Sequence, residues 1–176
     1  LPEFNFIIAS PRVVLTTKPN VKSNFIQYLP MGSRVCGEKI EKNWLKIYLS
    51  DKHNFKFGYI SSKKIIYKTQ SLKDWVQVAE SLVGSPYRWG GRDTLGLDCS
   101  ALIQLSLIFR NIYIPRDTND QINHFKTSSK FSVYSKNEFK LKHLLRGDLI
   151  YWKGHIGILI NKKEVLHASA THGCVL

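Results

Sequence analysis

No stretch of this 176-residue chain approaches the roughly 18–20 consecutive apolar residues that a membrane-spanning helix needs, so no transmembrane helix is expected. The opening LPEFNFIIASPR has no basic residue ahead of its short apolar run and does not read as an intact signal peptide. Cysteine is scarce. Cys36, Cys99 and Cys174 show neither C-x-x-C spacing nor a Cys/His ladder, which argues against a disulfide scaffold and against a structural zinc site. Three thiols cannot all pair within one chain, so at least one is expected free. Acidic residues are outnumbered two to one, 13 against 26, for a net charge of +13. Up to Lys68 there are 12 basic and 4 acidic residues (net +8), and the remainder has 14 and 9 (net +5). Such a surplus suits an anionic cell-wall polymer, a membrane surface or nucleic acid, or reflects the Lys-, Asn- and Ile-rich composition of an AT-rich genome. There is no basic helix, RNA-binding signature or aromatic-basic stripe, so nucleic acid is not an expected partner. Internal repeats and low-complexity tracts are absent too, and the length suits two small domains.

What is present changes character near residue 68. From about Ala9 to Tyr67 the chain alternates short β-branched or aromatic runs with turn formers. The runs are Val13–Leu15, Phe25–Leu29, Arg34–Cys36, Trp44–Tyr48 and Phe57–Ile60. Lys18-Pro19-Asn20, Pro30-Met31-Gly32-Ser33, Lys42-Asn43 and Ser50-Asp51 separate them. A small all-β barrel over residues 1–68 is the expectation. A helical period follows. Ser71 reads as an N-cap with Asp74 three residues on, Trp75, Val78, Ala79 and Leu82 share one face, and Gly84 is the stop. A Gly-rich loop from Ser85 to Asp98 then leads into an apolar helix from Cys99 to Phe109. Asp117 or Thr118 is expected to cap a further helix through Phe125, and Lys126 to Lys142 reads as loop. The chain returns to strands at Asp148–Trp152, His155–Ile160 and Glu164–Ser169, the last two as a hairpin around Asn161-Lys162-Lys163.

Cys99 carries the clearest chemical signal. A thiol at a helix N-terminus meets the positive end of the macrodipole, which favours the nucleophilic thiolate; the plainer reading is a small core residue. A nucleophile needs a base, and the base an orienter. A three-residue hairpin loop sets Ile160 opposite Glu164 and Gly157 opposite His167. His155 and His167 then fall on the same sheet face as diagonal neighbours, about 7–8 Å apart at most. A one-residue slip would separate them. His53, His124, His143 and His172 are the other histidines, and a lone strand histidine is more often structural.

Several blocks, taken together in order, resemble the NlpC family of bacterial cell-wall cysteine peptidases: Gly84-Ser-Pro-Tyr-Arg-Trp-Gly-Gly91, Gly96-Leu-Asp-Cys-Ser100, Ile114-Pro-Arg-Asp-Thr118 with Gln121, Gly147-Asp-Leu-Ile-Tyr-Trp152, His155-Ile-Gly157 and His167-Ala-Ser169. Residues 69–176 are therefore read as an NlpC-type domain. The earlier blocks Arg12-Val-Val14, Leu29-Pro-Met-Gly32, Trp44-Leu-Lys-Ile47 and Gly58-Tyr-Ile60 resemble, more loosely, the bacterial SH3-like barrel that often precedes it. The resemblance implies an α+β, papain-like fold and hydrolysis of the amide between γ-D-glutamate and a diamino acid in murein peptides, without metal or cofactor. It implies Cys99 as nucleophile, His155 as general base and His167 as the polar group that orients it. Tyr87 matches a tyrosine beside the nucleophile. Asp98 and Ser100 match positions that hold the free amine of a substrate L-alanine in recycling members. Arg116 and Asp117 read as a salt-bridged helix start, and Tyr87 and Trp89 as loop packing if they do not meet substrate.

Two departures stand out. Ala101 occupies a position that is usually glycine, and the chain stops soon after His167 where family domains continue through at least one more strand, so a trimmed sheet is expected. An amidase or acyltransferase on the same Cys–His scaffold, and a non-catalytic cell-wall-binding module, are the alternatives. A murein-peptide substrate fits either the bacterial cytoplasm, where peptides are recycled, or the envelope.

Overall fold

The computed structural model describes residues 3–41, 43–50, 56–135, 137–138 and 143–176, and the chain divides into two units, Leu1–Gln70 and Ser71–Leu176. Lys42, Asp51 and His53, together with Lys136 and 139–142 of the expected loop, lie outside the described residues. The division falls two residues beyond the expected 68/69. Gln70 is tied back to the first unit, since its backbone N–H donates to Tyr67 O (2.9 Å) and its side-chain oxygen accepts from Tyr67 N (2.7 Å).

The first unit holds strands β1 (Phe6–Ile8), β2 (Arg12–Thr16), β3 (Phe25–Pro30), β4 (Arg34–Val35), β5 (Gly37–Glu41), β6 (Trp44–Tyr48), β7 (Phe57–Ser61) and β8 (Ile65–Tyr67). They make two antiparallel sheets, ordered β4-β1-β8 and β3-β2-β7-β6-β5. Period-two patterning explains the larger one: Val13 and Leu15 of β2, Leu45 and Ile47 of β6, and Ile60 of β7 all turn inward. Phe6, Ile8 and Val35 of the smaller sheet complete the core. The expected barrel is corrected here: among the described residues the strands form two separate sheets and do not close. The chain leaves one sheet for the other at Cys36, between β4 and β5, and β2 meets β7 only at Thr16–Tyr59. Strand β1 escapes a pattern search because Phe6, Ile7 and Ile8 are all buried, so no polar residue alternates with them.

In the second unit the first helix is shorter and later than expected. Helix α1 spans Val76–Glu80 with Trp75 as its N-cap, and Ser71 caps nothing. Leu72 N donates instead to Phe109 O (2.7 Å), which holds this stretch outside the helix. The apolar face is as patterned, with Trp75, Val78, Ala79 and Leu82 buried, and Gly84 ends the segment at φ +81°. Short strands β9 (Arg92–Asp93) and β10 (Gly96–Leu97) pair within the glycine-rich loop. Helix α2 (Cys99–Ile108) follows, buried along most of its circumference, and then α3 (Thr118–Thr127). Strands β11 (Leu149–Trp152), β12 (His155–Leu159) and β13 (Val165–Leu166) form an antiparallel sheet with β12 central. The last expected strand breaks at His167. Strand β14 (Ala168–Ser169) pairs not with β12 but with β15 (Cys174–Val175). Helix α2 packs on α1, on α3 and on β12.

Candidate active site

Asp98 sets the start of α2. Its extended backbone ends the loop, and its side chain accepts from Ala101 N (2.9 Å), the N-cap bond that lets Cys99 be the first helical residue. As first residue of the helix, Cys99 keeps its own N–H outside the intrahelical ladder. The thiol is free and buried.

The carboxylate of Asp98 does more than cap. Oδ1 also accepts from Ser100 Oγ (3.1 Å) and Arg116 Nη1 (2.9 Å), and Oδ2 accepts from Arg116 Nη2 (2.6 Å) and Gly90 N (2.9 Å). Burial pushes its pKa up, but the paired guanidinium and the backbone donors outweigh that and hold it below the usual carboxylate value. Arg116 Nη1 donates to Ser100 Oγ as well (2.7 Å). Both positions matched to amine recognition are thus turned onto Arg116 and nearly closed to solvent. Arg116 is not the partner of Asp117 that the sequence suggests; its ion pair is with Asp98. From the same helix start, Gln121 Nε2 donates to Ser100 O and to Pro115 O (3.0 Å each). Ala101, in the place of a usual glycine, is buried without displacing the cap.

The histidines come from the sheet. Register pairs Ile158 with Leu166 and Leu159 with Val165, which extends to Ile160 N–H donating to Glu164 O. Gly157 and His167 are then opposite, and His155 Nε2 lies 2.8 Å from His167 Nδ1. The rings meet edge to face at 4.9 Å, and Trp152, the register partner of His155, lies 4.6 Å from its ring. Burial first, then the neighbouring His167, lowers the pKa of His155; burial and then His172 lower that of His167. Both shifts favour the neutral imidazole, the form in which a histidine accepts a proton. Helix α2 packs on the strand that His155 opens.

No hydrogen bond joins Cys99 to His155 among the described residues; the sulfur pairs with Thr118 Oγ1 at 3.6 Å. Tyr87 is half-buried, and its phenol is pushed up first by burial and then by Cys99 and Asp98, so it stays protonated as a donor close to both. Trp89 does not pack: 86% of it is exposed. Arg116, Thr118 and Gln121 stand in one motif of the sequence, but nothing in the sequence gives any of them a contact at Cys99. The spacing Arg116, Thr118, Gln121 around a helix start was the signal available. Among the described residues no cluster of three or more His, Cys, Asp or Glu side chains suits a metal ion.

The profile of the NlpC/P60 family matches residues 84–175. A probable endopeptidase of Haemophilus influenzae is 33% identical over 100 residues, covering 52% of this chain and 55% of that protein. Dipeptidyl-peptidase 6 of Lysinibacillus sphaericus is 31% identical over 94 residues, 53% of this chain and 31% of its own length. The gamma-D-glutamyl-L-lysine dipeptidyl-peptidase of Bacillus subtilis is 26% identical over 159 residues, reaching 78% of this chain and 50% of that one. The chain thus spans about a third to a half of the length of these relatives. The crystal structure of an NlpC/P60 family protein from Bacillus cereus superposes with a TM-score of 0.78 and 20% identity, over 99% of this chain and 57% of that one. The mixed α/β fold is therefore shared with that family.

Proposed function

The chain belongs to the NlpC/P60 family, and we propose that it is a cysteine peptidase that cleaves the γ-D-glutamyl–diamino acid amide of murein peptides. One observation carries the reading: the 2.8 Å bond between His167 and His155, the residue that opens the strand against which the Cys99 helix packs. The names of the relatives support the class of reaction.

The chemistry follows from the ring nitrogens. His155 uses Nε2 on His167, so Nδ1 is the atom left to take the thiol proton. In that neutral tautomer Nε2–H donates to His167 Nδ1, which orients the base and stabilises the imidazolium once formed. The Cys99 sulfur attacks the γ-D-glutamyl carbonyl, and the N–H of Cys99 at the helix start meets the developing oxyanion. His155 returns its proton to the leaving amine. Water then attacks the thioester, with His155 as base again, and frees the thiol. Tyr87 offers a protonated phenol beside the nucleophile, while Asp98 and Ser100 act with Arg116 to hold the turn that carries it. No step calls for a metal.

The first unit is proposed as an SH3-like module, on the strength of its five-stranded sheet and the blocks quoted above. Mass spectrometry of L-Ala-γ-D-Glu-diaminopimelate and of intact murein sacculi, each incubated with the chain, tests the function. Cleavage after γ-D-glutamate that Cys99→Ala abolishes is expected. Turnover of the free peptide alone assigns the chain to cytoplasmic recycling, and release from sacculi to the envelope. Failure to cleave either substrate overturns the proposal.

A further inference from the structure

The resting thiol has a partner other than the base. Cys99 Sγ and Thr118 Oγ1 lie 3.6 Å apart and both residues are buried. Among the described residues this is the single side-chain hydrogen bond of either atom. Thr118 is the first residue of α3, and the cap residue before it, Asp117, makes no side-chain cap bond. Its place is fixed independently: Arg116, two residues earlier, grips Asp98 and Ser100, and Gln121, one turn later, grips Ser100 O. The start of α3 thus holds the first turn of α2 at three successive residues, 98 to 100, and the contact at 99 is to the reacting atom itself.

Protonation decides the direction of that contact. In the neutral thiol either atom can donate. A thiolate has no proton, so in that state Thr118 is the donor. A donor that serves the charged form favours it. Thr118 is the side chain placed to supply such a donor to the sulfur, which follows the Asp98 carboxylate in the chain. Arg116 balances that carboxylate but bonds no sulfur.

We propose that Thr118 is a catalytic residue: its hydroxyl donates to the Cys99 thiolate and holds the sulfur at the start of α2. The proposal rests on Cys99 being the nucleophile. In the test, the full chain is labelled with iodoacetamide over a range of pH, and modification at Cys99 is followed by peptide mass spectrometry. The sulfur–carbon bond forms from the thiolate as iodide leaves, so the profile follows the thiolate population without any peptidase assay. For Thr118→Val the midpoint is expected about one pH unit higher, which is about tenfold slower labelling on the acid side. Thr118→Ser, which keeps the hydroxyl, is expected to restore the profile to within about threefold of the original. Circular dichroism checks folding, and Thr118→Ala replaces the valine variant if that one does not fold. An unchanged profile in the folded hydroxyl-free variant, or equal loss in the serine variant, overturns the proposal. A chain that labels as expected but cleaves no murein peptide upholds the role of Thr118 and removes the peptidase reading. A chain that cleaves the peptide while its valine variant labels normally removes only the role of Thr118.

Discussion

Arg116 is the side chain on which the Cys99 turn depends. It meets both oxygens of a carboxylate that is almost fully buried, with side-chain exposures of 21% for Arg116 and 9% for Asp98. Removing one partner of such a pair leaves the other charge uncompensated, at a cost of about 3–5 kcal/mol. Arg116→Ala should therefore lower the free energy of unfolding in urea by about that much, whereas Asp117→Ala should cost under ~1 kcal/mol, because Asp117 caps nothing. The histidines add a pH dependence of definite sign. His155 and His167 have folded-state values below the ordinary imidazole value of about 6.5, so the unfolded chain binds more protons in that window. Stability should decline as pH falls from about 6.5, and hydrolysis should show an acid limb centred below about 6.5 as His155 takes up a proton. Asp98 works the same way lower down: its stabilising effect is complete above about 3.9 and is lost as pH falls through its depressed folded value. Urea midpoints measured from about pH 2 to 8 and kcat/KM from about pH 4 to 8 check these; an acid limb above the ordinary histidine value would contradict the burial of His155. At this scale the sequence offers Cys99, His155 and His167 as candidates, because few residue types can serve as nucleophile and base. It did not carry their partners. The pairing of Arg116 with Asp98 spans 18 residues, and nothing local distinguishes it from a pairing with Asp117 next door.

Register, rather than any single side chain, brings the two histidines together. A three-residue loop and period two place Gly157 opposite His167, and the ladder of β12 with β13 has that register. Gly157 is where the ladder is tightest. A methyl group there would stand 2.6 Å from Val165 Cγ1, 3.2 Å from Leu166 O and 3.3 Å from His167 Cβ. The β-branched Val165 has few rotamers to move to and the Leu166 carbonyl is backbone, so Gly157→Ala should press the strands apart beside the imidazole pair. Overpacking of this kind costs about 1–3 kcal/mol, and a misplacement of about 1 Å at a reacting group can cost 10²-fold in rate. The expected result is a moderate drop in thermal stability with a disproportionate fall in kcat. A variant that loses stability but keeps its kcat would show that the His155–His167 contact is not needed. Legibility at this scale followed the strength of the local signal. Cap, apolar run and turn mark α2 and the 155–167 hairpin. Helix α1 was overestimated, because the bond from Leu72 to Phe109 is non-local and overrides the Ser71 cap signal. Strand β1 is buried on both faces and leaves no period to detect, and β8, half-buried at Ile65 and Ile66 and exposed at Tyr67, is too short to show one.

Charge is a property of the whole molecule, and it is unevenly placed: +8 of the +13 falls in the first 68 residues. Lys18, Lys22, Lys63 and Lys64 are all exposed there, so neutralising them disturbs no core. Two accounts of the surplus compete. If it is residue usage without a binding role, the charge has no partner. If the first unit holds an anionic wall polymer, as the excess suggests, binding is electrostatic and salt must weaken it. The Debye length shortens from about 14 Å at 0.05 M salt to about 6 Å at 0.3 M. Murein sacculi carrying their anionic polymers separate the two accounts, with the Cys99→Ala chain as probe so that nothing is digested during the assay. The expected outcome is sedimentation with the sacculi at low salt that falls several-fold by about 0.3 M. Replacing the four lysines by glutamine takes the stretch from +8 to +4. It should weaken the low-salt binding and flatten its dependence on salt. With Cys99 restored, the four-lysine variant should still cleave a short soluble murein peptide at the unsubstituted rate, since the lysines belong to the first unit and Cys99, His155 and His167 to the second. Binding that ignores both salt and the four substitutions would leave the surplus as composition alone.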